Sequence, residues 1–195
     1  MRTNTKHLLY LHGFRSSPRS FKAQKLAQWV ARHRPDVNWH CPQLPHAPAA
    51  ALRQLSLLMQ GWPSETSALI GSSLGGFYAT VLAQGTGCRA ALLNPAVEPA
   101  RDLAAFVGEQ SAFHDPGERF EFRTEDLDAL RALRPPAITR PERYFLIVAK
   151  GDELLDWRET SARYAGCRIK LPEGSDHALS DFDDHLSDLL DFLNL

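Results

Sequence analysis

Gly71-Ser72-Ser73-Leu74-Gly75 satisfies the pattern G-x-S-x-G and stands between a short apolar run, Ser67-Ala68-Leu69-Ile70, and a segment with helical spacing. Strand, sharp turn and helix in that order make a nucleophile elbow, whose central serine is held in a strained backbone conformation with its hydroxyl facing a pocket. Ser73 is that central residue, and Ser72 is the variable one. Flanking glycines are needed because side chains there would meet the adjacent helix and strand. The apolar run before the turn has the length and character of a strand covered on both faces. After it, Leu74, Tyr78, Val81 and Leu82 fall at helical spacing, and the helix is expected to end at Gly85. An ordinary tight turn could carry the same five residues, so the reading depends on the rest of the chain.

Outward from this stretch, strand-like and helix-like segments alternate, which predicts an α/β fold with a doubly wound, mainly parallel sheet of about six strands. Leu8-Leu9-Tyr10-Leu11 reads as the first strand. In the helix after Ser16-Ser17-Pro18, Ala23, Leu26, Ala27 and Val30 share one face. A short strand from Val37 to Cys41 precedes a helix over about 48–60, with Leu52, Leu55 and Met59 as its apolar side. The elbow strand and helix follow, then Arg89 to Leu93 as a fourth strand. Tyr144 to Ala149, a helix over about 156–164, Cys167 to Leu171 and a terminal helix carrying Phe182, Leu186, Leu189, Leu190 and Leu193 complete the series.

The alternation lapses between about 95 and 140. Only a helix over about 125–133 is expected there, and Phe106, Phe113, Phe120 and Phe122 make the segment look like a lid inserted into a single domain spanning 1–195.

A serine hydroxyl needs a histidine to take its proton and a carboxylate to orient that histidine. In an open parallel sheet both partners should lie on loops that follow strands. Asp152 comes after the Tyr144 strand and a glycine turn, and His177 lies in the loop between the last strand and the last helix. Ser73, Asp152, His177 is the chain order expected on an α/β-hydrolase frame. The alternative for Asp152 is the N-cap of the helix near residue 156. Neighbouring Asp176 suits a local cap better than the orienting role. The first strand ends in His12-Gly13-Phe14, the usual place for an oxyanion donor, so the backbone N–H groups of Phe14 and Leu74 are assigned that task. His12 itself reads as structural. Arg15 and Ser16, at the same rim, are candidate substrate contacts, with a solvated loop as the alternative.

The 195 residues are 44% apolar and 23% charged, with a formal net charge of −1. These values fit one soluble globular domain and show no basic stripe for nucleic acid. No stretch approaches the roughly 20 apolar residues of a membrane span, and the amino terminus lacks a signal-peptide core, so a cytoplasmic protein without stable membrane insertion is expected. Cys41, Cys88 and Cys167 are scattered and odd in number, as reduced thiols would be. No P-loop, dinucleotide fingerprint or zinc-binding histidine pair occurs, so neither cofactor nor metal is expected.

Tyr10-Leu11-His12-Gly13-Phe14 with Ser16-Ser17-Pro18, Gly71 to Gly76, Asn94-Pro95-Ala96-Val97, Gly151-Asp152-Glu153 with Leu155-Asp156, and Asp176-His177-Ala178 together resemble the YqiA-type bacterial esterases. Tyr164 to Arg168 and Asp191-Phe192-Leu193 extend the resemblance over nearly the whole chain. It implies a small α/β-hydrolase, lacking the first strands of larger members, that cleaves carboxylic esters and acyl-thioesters such as acyl-CoA. It also implies nucleophile, acid and base roles for Ser73, Asp152 and His177. Arg15 stands where a small polar residue is expected. The readings set against an esterase or thioesterase are a binding protein that kept the fold without turnover, and a small serine peptidase. Motifs leave the acyl group and the oligomeric state open.

Overall fold

A computed structural model describes residues 3–195 of the chain. β1 (His7–Leu11), α1 (Phe21–His33), β2 (Asn38–His40), α2 (Pro48–Leu58), β3 (Ser67–Ser72), α3 (Leu74–Thr86) and β4 (Arg89–Leu93) follow in strict alternation. A different segment then intervenes, with a short α4 (Pro99–Asp102), β5 (Gly108–Ser111), β6 (Arg119–Phe122) and α5 (Thr124–Leu133). β7 (Tyr144–Ile147), α6 (Trp157–Arg163), β8 (Arg168–Lys170) and α7 (Asp183–Leu193) restore the rhythm.

β2-β1-β3-β4-β7-β8 form one sheet in which every neighbouring pair is parallel. Period-two alternation divides the side chains of these strands between two apolar layers. Leu9, Leu11, Leu69, Leu92 and Leu146 pack with α2 and α3 residues such as Leu55, Phe77 and Leu82. Leu8, Tyr10, Ile70, Leu93 and Phe145 meet Leu26 and Val30 of α1 and Leu189 and Leu193 of α7 on the other face. Each aliphatic or aromatic side chain fully removed from water contributes about 1.5–3 kcal/mol, and the central strands are buried on both faces.

The chain runs outward from β1 to the edge strand β2 and then returns to the far side of β1 as β3. Strand order therefore reverses between β1 and β3. The crevice beyond their carboxyl ends is where ligands bind in open α/β sheets.

Three local expectations are corrected. α3 continues through Gly85 to Thr86 and stops at Gly87, whose φ of 78° supplies the left-handed cap. β7 ends at Ile147; beyond it the Val148 and Lys150 N–H groups still reach the Lys170 and Pro172 carbonyls, but on the β4 side the Ala149 N–H turns to the Asn94 side chain. The 95–140 segment holds, besides the expected helix, the antiparallel hairpin β5–β6. Its first strand, Gly-Glu-Gln-Ser, lacks the β-branched and aromatic residues that announce a strand. Cys41 and Cys167 are half-buried and Cys88 is buried, all three unpaired. No described helix is long and apolar enough to cross a membrane.

Candidate active site

Ser73 joins β3 to α3 with φ 56° and ψ −121°. For a non-glycine residue this conformation costs on the order of 1–3 kcal/mol and persists only where surrounding bonds enforce it. The Ser73 N–H donates to the Leu93 carbonyl at 3.0 Å, and the Ser73 carbonyl accepts from Gly76, Phe77 and Ala96 at 2.9, 3.3 and 3.1 Å. Close packing adds to the constraint. A Cβ on Gly75 would lie 2.0 Å from the Leu11 carbonyl oxygen, so only glycine lets α3 start against the end of β1.

His177 reaches this serine from the loop between β8 and α7, with Nε2 2.9 Å from Ser73 Oγ. Its Nδ1 donates to Asp152, at 2.8 Å to Oδ2 and 3.0 Å to Oδ1. With the Nδ1 proton held by the carboxylate, the neutral ring leaves Nε2 free to accept the serine proton. The Asp152 side chain is 2% exposed and that of His177 is 17% exposed, so the acid is sealed while the base touches the cavity. Asp152 Oδ1 also accepts the N–H groups of Leu154 and Leu155 at 2.8 and 2.9 Å. It thus caps its own turn, whereas the α6 N-cap is Asp156, which accepts from the Arg158 N–H.

The histidine loop is held from several sides. Glu153 Oε2 accepts the His177 N–H at 2.9 Å. Asn94, at the end of β4, donates from Nδ2 to the Asp176 and His177 carbonyls at 2.9 and 3.1 Å, and its Oδ1 accepts the Ala149 N–H at 2.8 Å. One amide therefore ties together the ends of β4 and β7 and the base loop. A Cβ on Gly151 would sit 2.3 Å from the Ser175 carbonyl, which brings the acid turn directly against that loop. Asp176 turns its carboxylate to the Ser180 N–H and hydroxyl, and these bonds hold it below the ordinary carboxylate range. It is a local cap.

His12 is 4% exposed and accepts the Leu44 N–H at Nε2, 3.1 Å away, while its Nδ1 donates to the Gly13 carbonyl at 3.0 Å. Burial lowers its pKa, so a neutral ring braces the loop after β1. A Cβ on Gly13 would be 3.3 Å from Ser73 Cβ, which places this loop directly at the nucleophile. Among the described residues no backbone acceptor takes the Phe14 or Leu74 N–H. The Leu74 donor also lies at the positive end of α3.

A cavity of about 390 Å³ opens over Ser73, lined by Arg15 and Ser16 together with Pro99, Leu103, Leu154 and Leu155 among others. Two of the four insert phenylalanines, Phe106 and Phe113, line it. Phe122 is fully buried and Phe120 stacks on His46, so neither belongs to the cavity wall. Aromatic composition alone does not reveal facing. Phe106, Phe120 and Phe122 make edge contacts with Phe14, at centroid distances of 5.7, 5.9 and 5.0 Å. Arg15 carries φ 60° and binds the hairpin: its Nε donates to the Ser111 carbonyl at 2.7 Å, its carbonyl accepts the Phe113 N–H at 2.8 Å, and its guanidinium lies 4.5 Å from the Phe113 ring centre.

Glu153 and Asn94 were not singled out as site residues by sequence reasoning. Both stand in motifs that carry the family resemblance, but the residues themselves gave no role beyond adjacency to the ends of the two strands concerned. Lys22 and Asp102 also line the cavity, and burial raises the Asp102 pKa despite Arg101 beside it.

The sheet order and the elbow define an α/β-hydrolase fold. The chain belongs to the family described as Uncharacterised protein family (UPF0227), the YqiA family, whose model matches residues 7–194. Crystal structures similar along its length include a candidate hydrolase from Agrobacterium vitis, with a TM-score of 0.74 at 18% identity over 97% of this chain and 88% of the other. One of the metagenome-derived lipolytic enzymes LipS and LipT gives 0.70 at 20% identity, covering 97% and 94% of the two chains. An esterase of Pyrococcus furiosus gives 0.63 at 14%, covering 99% and 83%. At such identities the likeness establishes the fold.

Proposed function

We propose that the protein is a serine hydrolase of carboxylic esters or acyl-thioesters, working through an acyl-enzyme on Ser73. The observation that carries this reading is the continuous chain from Ser73 Oγ through His177 to a sealed Asp152, with the serine end open to the cavity. In the proposed cycle, Oγ attacks the acyl carbonyl while Nε2 of His177 takes its proton. Asp152 keeps the imidazole in the required tautomer and stabilises the imidazolium. The oxygen of the tetrahedral intermediate accepts from the Phe14 and Leu74 N–H groups, each such donor lowering the barrier by roughly 3 kcal/mol. Collapse expels the alcohol or thiol with the proton from His177. Water then enters, loses a proton to the same nitrogen and releases the acid. The esterase and lipolytic neighbours favour an acyl ester over other electrophiles, and the largely apolar cavity suits an acyl chain.

Fluorophosphonate labelling tests the reading. Ser73 should be the modified residue, and Ser73→Ala should lose hydrolysis of aryl esters. Labelling elsewhere, or a Ser73→Ala variant as active as wild type, would refute it. Comparison of matched ester, thioester and amide substrates separates esterase from peptidase, and cleavage confined to amides would overturn the substrate class.

A further inference from the structure

One corner of the cavity is polar where most of the wall is apolar. Tyr10, Ser20, Lys22 and Ser72 meet there. Lys22 is only 9% exposed, rare for an ammonium that has no close carboxylate. Its Nζ donates to the carbonyl of Ala178, the residue after His177, and Asp176 acts on it at longer range. One of its three protons is used, which leaves two donors. Ser20 is the N-cap of α1 but makes no side-chain cap bond, and its Oγ is buried without a hydrogen-bond partner. The Tyr10 hydroxyl lies beside Ser20 and Ser72. Buried polar atoms are rarely left unpaired, so the two spare protons of the Lys22 ammonium and the unpartnered Ser20 hydroxyl call for a further acceptor. The positive end of the 13-residue α1 adds to the same field. A role for Lys22 as a pin for the histidine loop accounts for one proton and leaves the Ser20 hydroxyl unexplained.

Building on the esterase reading, we infer that this corner seats a carboxylate carried by the substrate, bound by Lys22 and Ser20, and that the preferred substrates are acidic esters rather than neutral ones. Ser72 and Ala178 adjoin Ser73 and His177 in the chain, so the anion lies a short acyl chain away from the reacting carbonyl. Burial lowers the Lys22 pKa to about 8 against the opposing pull of Asp176. The other titratable groups lining the cavity are Arg15, Asp102, whose carboxyl burial pushes up, His177, which acts on neutral and acidic esters alike, and Tyr10, whose phenol burial keeps neutral. The preference is therefore present below about pH 8 and fades above it.

The test compares kcat/KM for mono-4-nitrophenyl adipate with that for 4-nitrophenyl hexanoate, which shares the leaving group and acyl length, and adds 3-carboxy-4-nitrophenyl hexanoate to place a carboxylate on the alcohol side. A charge-assisted contact predicts an advantage of about tenfold or more for one carboxylate-bearing ester. Adipate as the better substrate puts the anion in the acyl group; an advantage only for the carboxyphenyl ester puts it in the leaving group. In Lys22→Met either advantage should fall to within about twofold. Equal rates on all three esters in wild type, or an advantage that survives Lys22→Met or persists unchanged above pH 8, would overturn the inference. Calorimetry on Ser73→Ala with monomethyl adipate and neutral methyl hexanoate needs neither turnover nor a folded Lys22 variant, and with the anion in the acyl group the adipate should bind about tenfold tighter. Failure of fluorophosphonate labelling would sink the esterase reading alone. Ester cleavage with no advantage for either carboxylate-bearing ester would sink the carboxylate corner alone.

Discussion

Replacing Asn94 with alanine removes three hydrogen bonds of 2.8, 2.9 and 3.1 Å that join the ends of β4 and β7 to the base loop. At a net value of about 1 kcal/mol each they amount to roughly 3 kcal/mol. The Ala149 N–H adds to this, because Ala149 is fully buried and its donor would be left without an acceptor. Asn94 also holds φ 42°, a conformation asparagine tolerates better than alanine. The expected loss is about 3–4 kcal/mol, a large part of the roughly 5–15 kcal/mol stability of such a domain. Urea denaturation should show a lower midpoint with an unchanged slope, and thermal melting a drop of roughly 6–16 °C. Asn94→Asp separates positioning from stability. Its acceptor for Ala149 is kept, but a carboxylate now faces two carbonyls, so its folded-state pKa rises above the unfolded value. Its stability is then highest below the unfolded pKa of about 4 and is lost as pH rises through the folded pKa. The rate of Ser73 labelling, relative to wild type at each pH, should recover in the same direction, because the introduced carboxyl, once protonated, regains one donor for the loop. A loss below about 1 kcal/mol in Asn94→Ala, or Asn94→Asp matching wild type from pH 5 to 8, would refute the staple.

Asp152→Asn should lower kcat on aryl esters by about ten-thousandfold with little change in KM, since the amide selects the wrong histidine tautomer; a loss under about tenfold would exclude Asp152 as the orienting acid. Phe106→Ala and Phe113→Ala, at the cavity wall, should flatten the dependence of kcat/KM on acyl-chain length. Phe122→Ala, buried behind Phe14, should leave that dependence alone and instead cost about 3–5 kcal/mol in a denaturation experiment. Gly75→Ala places a methyl 2.0 Å from the Leu11 carbonyl oxygen and should cost more than about 4 kcal/mol or abolish soluble expression, whereas normal expression and melting would contradict the close approach.

The alternation of strands and helices and the choice of Ser73, Asp152 and His177 were legible because each depends on a local signal: an apolar run, a glycine turn, a residue type just beyond a strand. The structure brings all three together, and Arg15 and Ser16 line the cavity beside them. Asn94 was visible as part of a family motif, but its bridging role was not, because its partners, the carbonyls of Asp176 and His177, lie 82 and 83 residues away and leave no trace in composition. Lys22 escaped because it interrupts an otherwise regular face: Ala23, Leu26 and Val30 announce the buried side of α1, and a lysine next to them reads as solvent-facing. The insert was recognised by a broken rhythm, but which phenylalanine faces the cavity depends on the hairpin register, which a polar β5 does not declare.

Phe14 and Arg15 form the loop after β1, yet the partners that hold them, Phe106, Ser111, Phe113, Phe120 and Phe122, all belong to the segment after β4. The insert is thus a structural support for the loop after β1 as well as a wall over the cavity. A shortened chain that joined β4 directly to β7, the obvious route to a minimal scaffold, would strip the support from the Phe14 N–H while leaving Ser73, Asp152 and His177 untouched. Under the mechanism proposed above, such a scaffold would keep its nucleophile and lose much of its means of stabilising the charge that nucleophile creates. Transplanting acyl specificity between relatives would accordingly require moving the segment and the loop after β1 as one unit.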